Sequence, residues 1–185
     1  MNPFKEFNHF IAYFVPGVVL FVISLSLISI IGGTNILVIF ISSSSYIFVT
    51  LIVGTILGLL LDEFRHVCLE ERFEKWWAKK NDIDTEKMDD FVNCAPKIGL
   101  DLYKLIRDEY FYFYEFDINI SISLLLGAFA LPFYLTHFCV LPQYAICLSC
   151  TLLMIMSIAF WYFGKNAYEY FLDVLKRAID RVAEK

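Results

Sequence analysis

Four long stretches of this sequence contain no Asp, Glu, Lys or Arg. They run from about 10 to 31, 36 to 61, 118 to 138 and 144 to 163. Each supplies about the 20 residues that cross the roughly 30 Å hydrocarbon core of a bilayer. In lipid the backbone must satisfy its own hydrogen bonds, so each block reads as a helix. The composition agrees: 59% of residues are hydrophobic and the mean hydropathy is +0.63, against roughly 45–50% apolar usage in soluble domains. The first block exceeds the 7–15 residues of a signal-peptide core and has no A-x-A-like cleavage site, so it is expected to be retained.

Basic residues are also missing from two connections, "GGTN" after the first block and "HFCVLP" after the third. The segment 62–117 carries nine Lys and Arg, and the C-terminus carries Lys165, Lys176, Arg177, Arg181 and Lys185. The positive-inside rule then places both termini and the central segment in the cytoplasm. Almost nothing projects outside. The fold class is an all-α polytopic membrane protein: one membrane domain over 1–185, with four transmembrane helices in a bundle. A cytoplasmic helical insert covers 62–117 and a cytoplasmic C-terminal helix covers 164–185. Acids outnumber bases by fifteen to nine within 62–117. That balance argues against general nucleic-acid binding but leaves room for a small anionic ligand.

Catalytic signatures are scarce. There is no Ser–His–Asp arrangement and no Gly-rich phosphate loop, so no catalytic residue and no cofactor is assigned, and the chain reads as a non-enzyme. Five cysteines make no disulfide framework. Cys147-x-x-Cys150 is similar in setting to the four-pass quinone-linked thiol oxidoreductases. Those need further cysteines or a sizeable outer element, and "GGTN" supplies neither. No ionisable residue lies deep in any block, although ion-coupled transporters normally need one. The polar content there is hydroxyl: Ser24, Ser26, Ser29, Ser42 to Ser45, Thr50 and Thr55. Such groups line a pore in an oligomer or bond back to their own helix.

Helical spacing continues past the second block, predicting one helix from about Ile36 to Lys79 with a Glu71–Lys75 pair. "NDIDT" breaks it, and a short helix follows with Met88, Phe91 and Val92 on one face. Pro96 opens the next helix, with an apolar stripe of Ile98, Leu102, Leu105 and Ile106 running into "YFYFYEF". The fourth block continues to the C-terminus along Phe171, Leu172, Leu175, Ile179 and Val182.

Several constellations are candidate sites. Gly54-x-x-x-Gly58 permits close helix packing in lipid. Asp62, Glu63, His66 and Glu70 gather at the exit of the second helix as a polar coupling network. Within it, Glu63-x-x-His66 has the carboxylate–imidazole spacing of bundle di-iron sites. A metal would need a second such motif and more carboxylates, from Asp108, Glu109, Glu115, Glu169 or Asp173. His9 and His137 belong near opposite surfaces, so no metal is assigned. Arg72, Lys75 and Lys79 share a helix face that suits an anion or lipid headgroups, or simply water. Trp76, Trp77, Tyr110, Tyr112, Tyr114 and Trp161 gather at the inner interface, where aromatic rings anchor helices.

The four blocks, the acidic "DEFRHVCLEE" exit, the aromatic "YFYFYEF" and the absent outer domains together resemble the small four-pass membrane proteins of bacterial anti-phage systems. The resemblance implies oligomerisation, with membrane permeabilisation or docking of a soluble sensor. Three functions are then carried forward. One is a homo-oligomeric effector or channel in the lipid bilayer, gated from its cytoplasmic layer. Another is a non-conducting scaffold that recruits a cytosolic protein. The third is an enzyme using Asp62, Glu63, His66 and Glu70.

Overall fold

The computed structural model describes residues 3–68, 98–106, 111–139 and 141–183. All regular structure among these residues is helical: α1 (Pro3–Gly32), α2 (Ile36–Ile41), α3 (Tyr46–Arg65), α4 (Leu100–Ile106), α5 (Tyr112–Phe138) and α6 (Gln143–Ala183). Four of them, α1, α3, α5 and α6, are long and apolar enough to cross a membrane, so the chain has the build of a multi-pass membrane protein. At 20 residues, α3 spans about 30 Å.

One expectation is corrected. The helix predicted from Ile36 to Lys79 is interrupted by a turn at Ser42 to Ser45. Serine hydroxyls compete for backbone groups, and four in a row offer the chain another way to satisfy them. The Ser42 hydroxyl donates to the Val38 carbonyl at 2.8 Å, and the Ser45 N–H donates to Ser43 Oγ at 3.3 Å. Asn35 caps α2 by accepting from the Val38 N–H at 3.2 Å. It also accepts the Tyr134 hydroxyl of α5 at 2.7 Å. Beyond α3 the backbone widens into a π turn over 66–68. The rest of the predicted extension, and the helices around Met88 and Pro96, lie outside the described residues.

The spans form a row. α1 packs against both α3 and α5, and α5 packs against both α1 and α6. Burial follows the order: 56% of the apolar window of α5 is buried, against 17% for α3 and 11% for α6. A closed four-helix bundle would bury all four alike, so the arrangement is more open than the bundle expected from sequence.

Glycine allows the closest crossing in that row. A Cβ on Gly58 would collide with the Tyr13 carbonyl of α1, and one on Gly17 would collide with the Gly54 carbonyl of α3. Gly54 and Gly58 were visible as a motif, whereas their partner Gly17 was not. Between α5 and α6 the contact is polar and reciprocal. Ser121 donates to the Ser157 carbonyl at 2.8 Å, and Ser157 donates to the Ser121 carbonyl at 2.9 Å. Lipid offers no competing partner, so such bonds favour association of the two helices.

A second core lies at the charged end, where α4 and the ends of α5 and α6 meet. It contains Ile98, Ile106, Tyr114, Ile118, Tyr168, Phe171, Leu172 and Leu175. Of the stripe expected on α4, Ile98 and Ile106 are buried, while Leu102 and Leu105 face outward. The side chains of Ile179 and Val182 lie outside the described residues. Where this end is wetted, burying Leu172 and Leu175 is worth about 1.5–3 kcal/mol each.

Replacing Gly58 by Ala sets a methyl against a backbone carbonyl that cannot rotate away. The expected loss is at least about 1–3 kcal/mol, read as a lower unfolding midpoint in detergent. Gly32→Ala, whose Cβ meets nothing nearer than an Ile36 methyl at 3.9 Å, is the control. Equal midpoints for the two variants would contradict the α1–α3 crossing.

Candidate functional site

The last turn of α3 brings Arg65 inward, and its side chain is almost completely buried (1% exposed). An isolated guanidinium there would be prohibitively costly, so its surroundings must neutralise it. Asp62, one turn earlier on the same helix, does so first. Arg65 Nε and Nη2 both donate to Asp62 Oδ1, at 3.2 and 3.0 Å. Glu115 of α5 comes from the facing helix, and Nη2 also donates to its Oε1 at 3.2 Å. The Tyr114 ring lies against the guanidinium, 5.2 Å from carbon to centroid, a cation–π distance.

Two more side chains extend the cluster. Tyr13 of α1 donates its hydroxyl to Glu115 Oε2 at 3.2 Å. Asn119 of α5, fully buried, donates Nδ2 to Asp62 Oδ1 at 3.0 Å. The charged ends of α1, α3 and α5 are therefore linked through one set of polar contacts. Tyr114 carries the linkage onward: its ring meets Tyr168 of α6 at 4.9 Å, and Phe111 meets Phe171 at 5.4 Å. The cluster is thus continuous with the aromatic core beneath α4 and α6.

The candidates named from sequence are divided by this geometry. Asp62 sits in the cluster, bonded to Arg65. Glu63 and His66 are exposed on other faces of the α3 terminus. Gly54 and Gly58 lie at the α1 crossing. Tyr114 is buried in the aromatic core and Trp161 is half-buried against it, whereas Tyr112 is half-buried without being part of that core's margin. Glu70, Arg72, Lys75, Lys79, Trp76, Trp77 and Tyr110 lie outside the described residues. Of the extra carboxylates considered, Glu115 joins the site. Glu169 and Asp173 instead face Lys165 and Arg177 along α6, and Asp108 and Glu109 lie outside the described residues. Among the described residues no three His, Cys, Asp or Glu side chains converge.

Sequence reasoning missed Arg65, Asn119 and Tyr13 as site residues. In the sequence Arg65 counts only as one of the nine basic residues of 62–117. Its signal was the Asp62 one turn before it, and that of Asn119 was a carboxamide inside an apolar block. No signal marked Tyr13, because its role depends on which helix α1 meets.

The hydroxyls of the first two blocks mostly serve their own helices. Ser24, Ser26 and Ser29 donate to the carbonyls of Leu20, Val22 and Leu25 at 2.7–2.9 Å, and Thr55 donates to that of Leu51 at 2.7 Å. A half-open groove of about 250 Å³ between α1, α5 and α6 has Ser26 as its one polar side chain, among aliphatics such as Val22 and Leu124.

Arg65→Met leaves Asp62 and Glu115 without their shared cation and is expected to cost about 3–5 kcal/mol in chemical unfolding from detergent. His66→Ala, on the exposed face, should change the midpoint little. The reverse ranking would show that the joint is centred on His66 instead. No family model, curated protein or solved structure matches this chain, so function is argued from the geometry of the chain itself.

Proposed function

We propose that the protein is an oligomeric effector or channel of a bacterial inner membrane, gated from a cytoplasmic helical layer. Both termini lie in the cytoplasm, and the activity is membrane permeabilisation in anti-phage defence. One observation carries the reading: the Arg65 cluster couples three spans to the aromatic core of the layer. A ligand or protein that displaced that layer would pull on α1, α3 and α5 together. Conduction would need several copies, because the described hydroxyls of α1 and α3 are largely used within their own helices. The outer faces of α3 and α6 provide apolar surface for such contacts.

A second reading, a non-conducting scaffold, is favoured by a different observation. Leu100, Leu102 and Leu105 on α4 are 41–57% exposed at the charged end, an apolar surface suited to a cytosolic protein.

Ion flux from liposomes containing the full-length protein separates the two. Flux is expected when products of the neighbouring genes are added, and Arg65→Met should uncouple it from them. Sealed vesicles under every condition, with a stoichiometric complex of one of those products, would favour the scaffold. Orientation is tested separately with single-cysteine variants. A membrane-impermeant maleimide should label the exposed Cys68 in inverted vesicles but not in intact spheroplasts. Labelling in intact spheroplasts would reverse the topology.

A further inference from the structure

We propose that the exposed turn at Ser42 to Ser45 is the contact through which two copies of this chain pair inside the membrane. The inference rests on the oligomeric part of the reading above and does not require conduction.

The turn lies at membrane depth. α3 runs antiparallel to α1, with Gly58 against the Tyr13 backbone and Gly54 against Val18. Tyr46 starts α3 eight residues before Gly54, about 12 Å along the helix. Eight residues beyond Val18 on α1 stands Ser26, so the turn is level with that part of α1. From there α1 runs on to Gly32, about 9 Å further. α2 covers this remaining depth by folding back along α1. The Leu37 N–H donates to Ser29 Oγ at 3.2 Å, and Phe40 meets Phe21 edge-on at 5.2 Å. The charge-free part of α3, 46–61, has sixteen residues, about 24 Å, which falls short of the roughly 30 Å core. The turn is therefore inside the hydrocarbon, between apolar helices that expose Ile39, Ile41, Ile47 and Phe48.

Lipid is a poor cover for it. Hydrocarbon satisfies no backbone polar group, so non-helical backbone at this depth is tolerated only against protein or water. All four serines are exposed. The Ser43 N–H donates to the Phe40 carbonyl at 3.0 Å, and the Tyr46 N–H donates to the Ser43 carbonyl at 3.3 Å. Among the described residues, the Ser42 carbonyl and the N–H, carbonyl and hydroxyl of Ser44 have no hydrogen-bond partner.

A second copy is the occupant that fits. The turn presents donors and acceptors together, and a hydroxyl is both. Such a patch is complementary to itself, which a two-fold contact requires. Four small side chains also let two backbones approach closely, as helix contacts in lipid commonly do. A water-soluble partner would have to enter the hydrocarbon to reach it.

Disulfide cross-linking in native membranes tests the contact, with the five natural cysteines replaced by alanine. A two-fold contact brings a residue beside its own copy. Ser44→Cys should therefore form covalent dimers on oxidation with copper phenanthroline, whereas Leu152→Cys on the exposed face of α6 should not. Single-molecule photobleaching in lipid vesicles should find the native chain in pairs. Replacing Ser42 to Ser45 together by alanine removes the hydroxyls and favours an unbroken helix, and it should weaken pairing about tenfold or more. Photobleaching of the native chain keeps the test decisive if that variant does not insert. A monomeric native chain overturns the proposal. So does labelling of monomeric Ser44→Cys by a charged maleimide, which would show that water covers the turn instead. Cross-linking through Leu152→Cys but not Ser44→Cys overturns it too, and leaves the channel reading standing on another face. Dimers through Ser44→Cys in vesicles that stay sealed support the contact and count against the channel alone.

Discussion

A guanidinium buried at the end of an apolar helix constrains everything around it. Arg65 cannot be left alone in a low-dielectric interior, because desolvation would outweigh every packing gain nearby. Asp62 answers from the same helix, so part of the compensation is local. Glu115 answers from α5, which fixes how α3 and α5 approach at that depth. Tyr13 then ties α1 to the same carboxylate. The glycine crossing complements this: Gly58 admits the Tyr13 backbone, and the Tyr13 hydroxyl reaches the cluster one layer away. Packing and electrostatics therefore specify one register of α1 on α3.

The two ends of the molecule are held by different forces. Within the spans, lipid tails are as apolar as leucine, so burying aliphatic surface gives little net drive. Close glycine contacts and the reciprocal Ser121–Ser157 bonds act there instead. At the charged end, wherever water reaches, burying Tyr168, Leu172 and Leu175 does favour association. The Arg65 cluster lies where these regimes meet. Tyr114 belongs to both, with one contact on the guanidinium and another on the Tyr168 ring.

The sequence made the spans legible because missing charge is a strong signal over 20 residues. The unbroken α6 and the Gly54–Gly58 pair were legible for similar reasons of periodicity and spacing. The Ser42 to Ser45 turn was not, since serine is tolerated in membrane helices and only tertiary contacts decide against it. Nor was the row of helices, which depends on which faces meet. The cluster was half visible. Asp62 stands out as an acid at a helix exit, but the sequence groups it with Glu63, His66 and Glu70 rather than with Arg65. Rotation of the helix places Arg65 on the inward face with Asp62 and leaves His66 outside. Burial of that kind comes from neighbouring helices and leaves no trace in the residue's position along its own.

A row, unlike a closed square, has two unlike margins. One is the outer face of α3, with Phe48, Ile52, Ile56 and Leu60 exposed. The other is that of α6, with Leu148, Leu152, Ile155 and Ile158 exposed. Copies joined α3 to α3 would make an isologous contact, which one two-fold axis satisfies and ends. Copies joined α3 to α6 would make a heterologous contact, which continues until rotation closes a ring. The choice between these contacts would separate a simple pair from an assembly with a central axis.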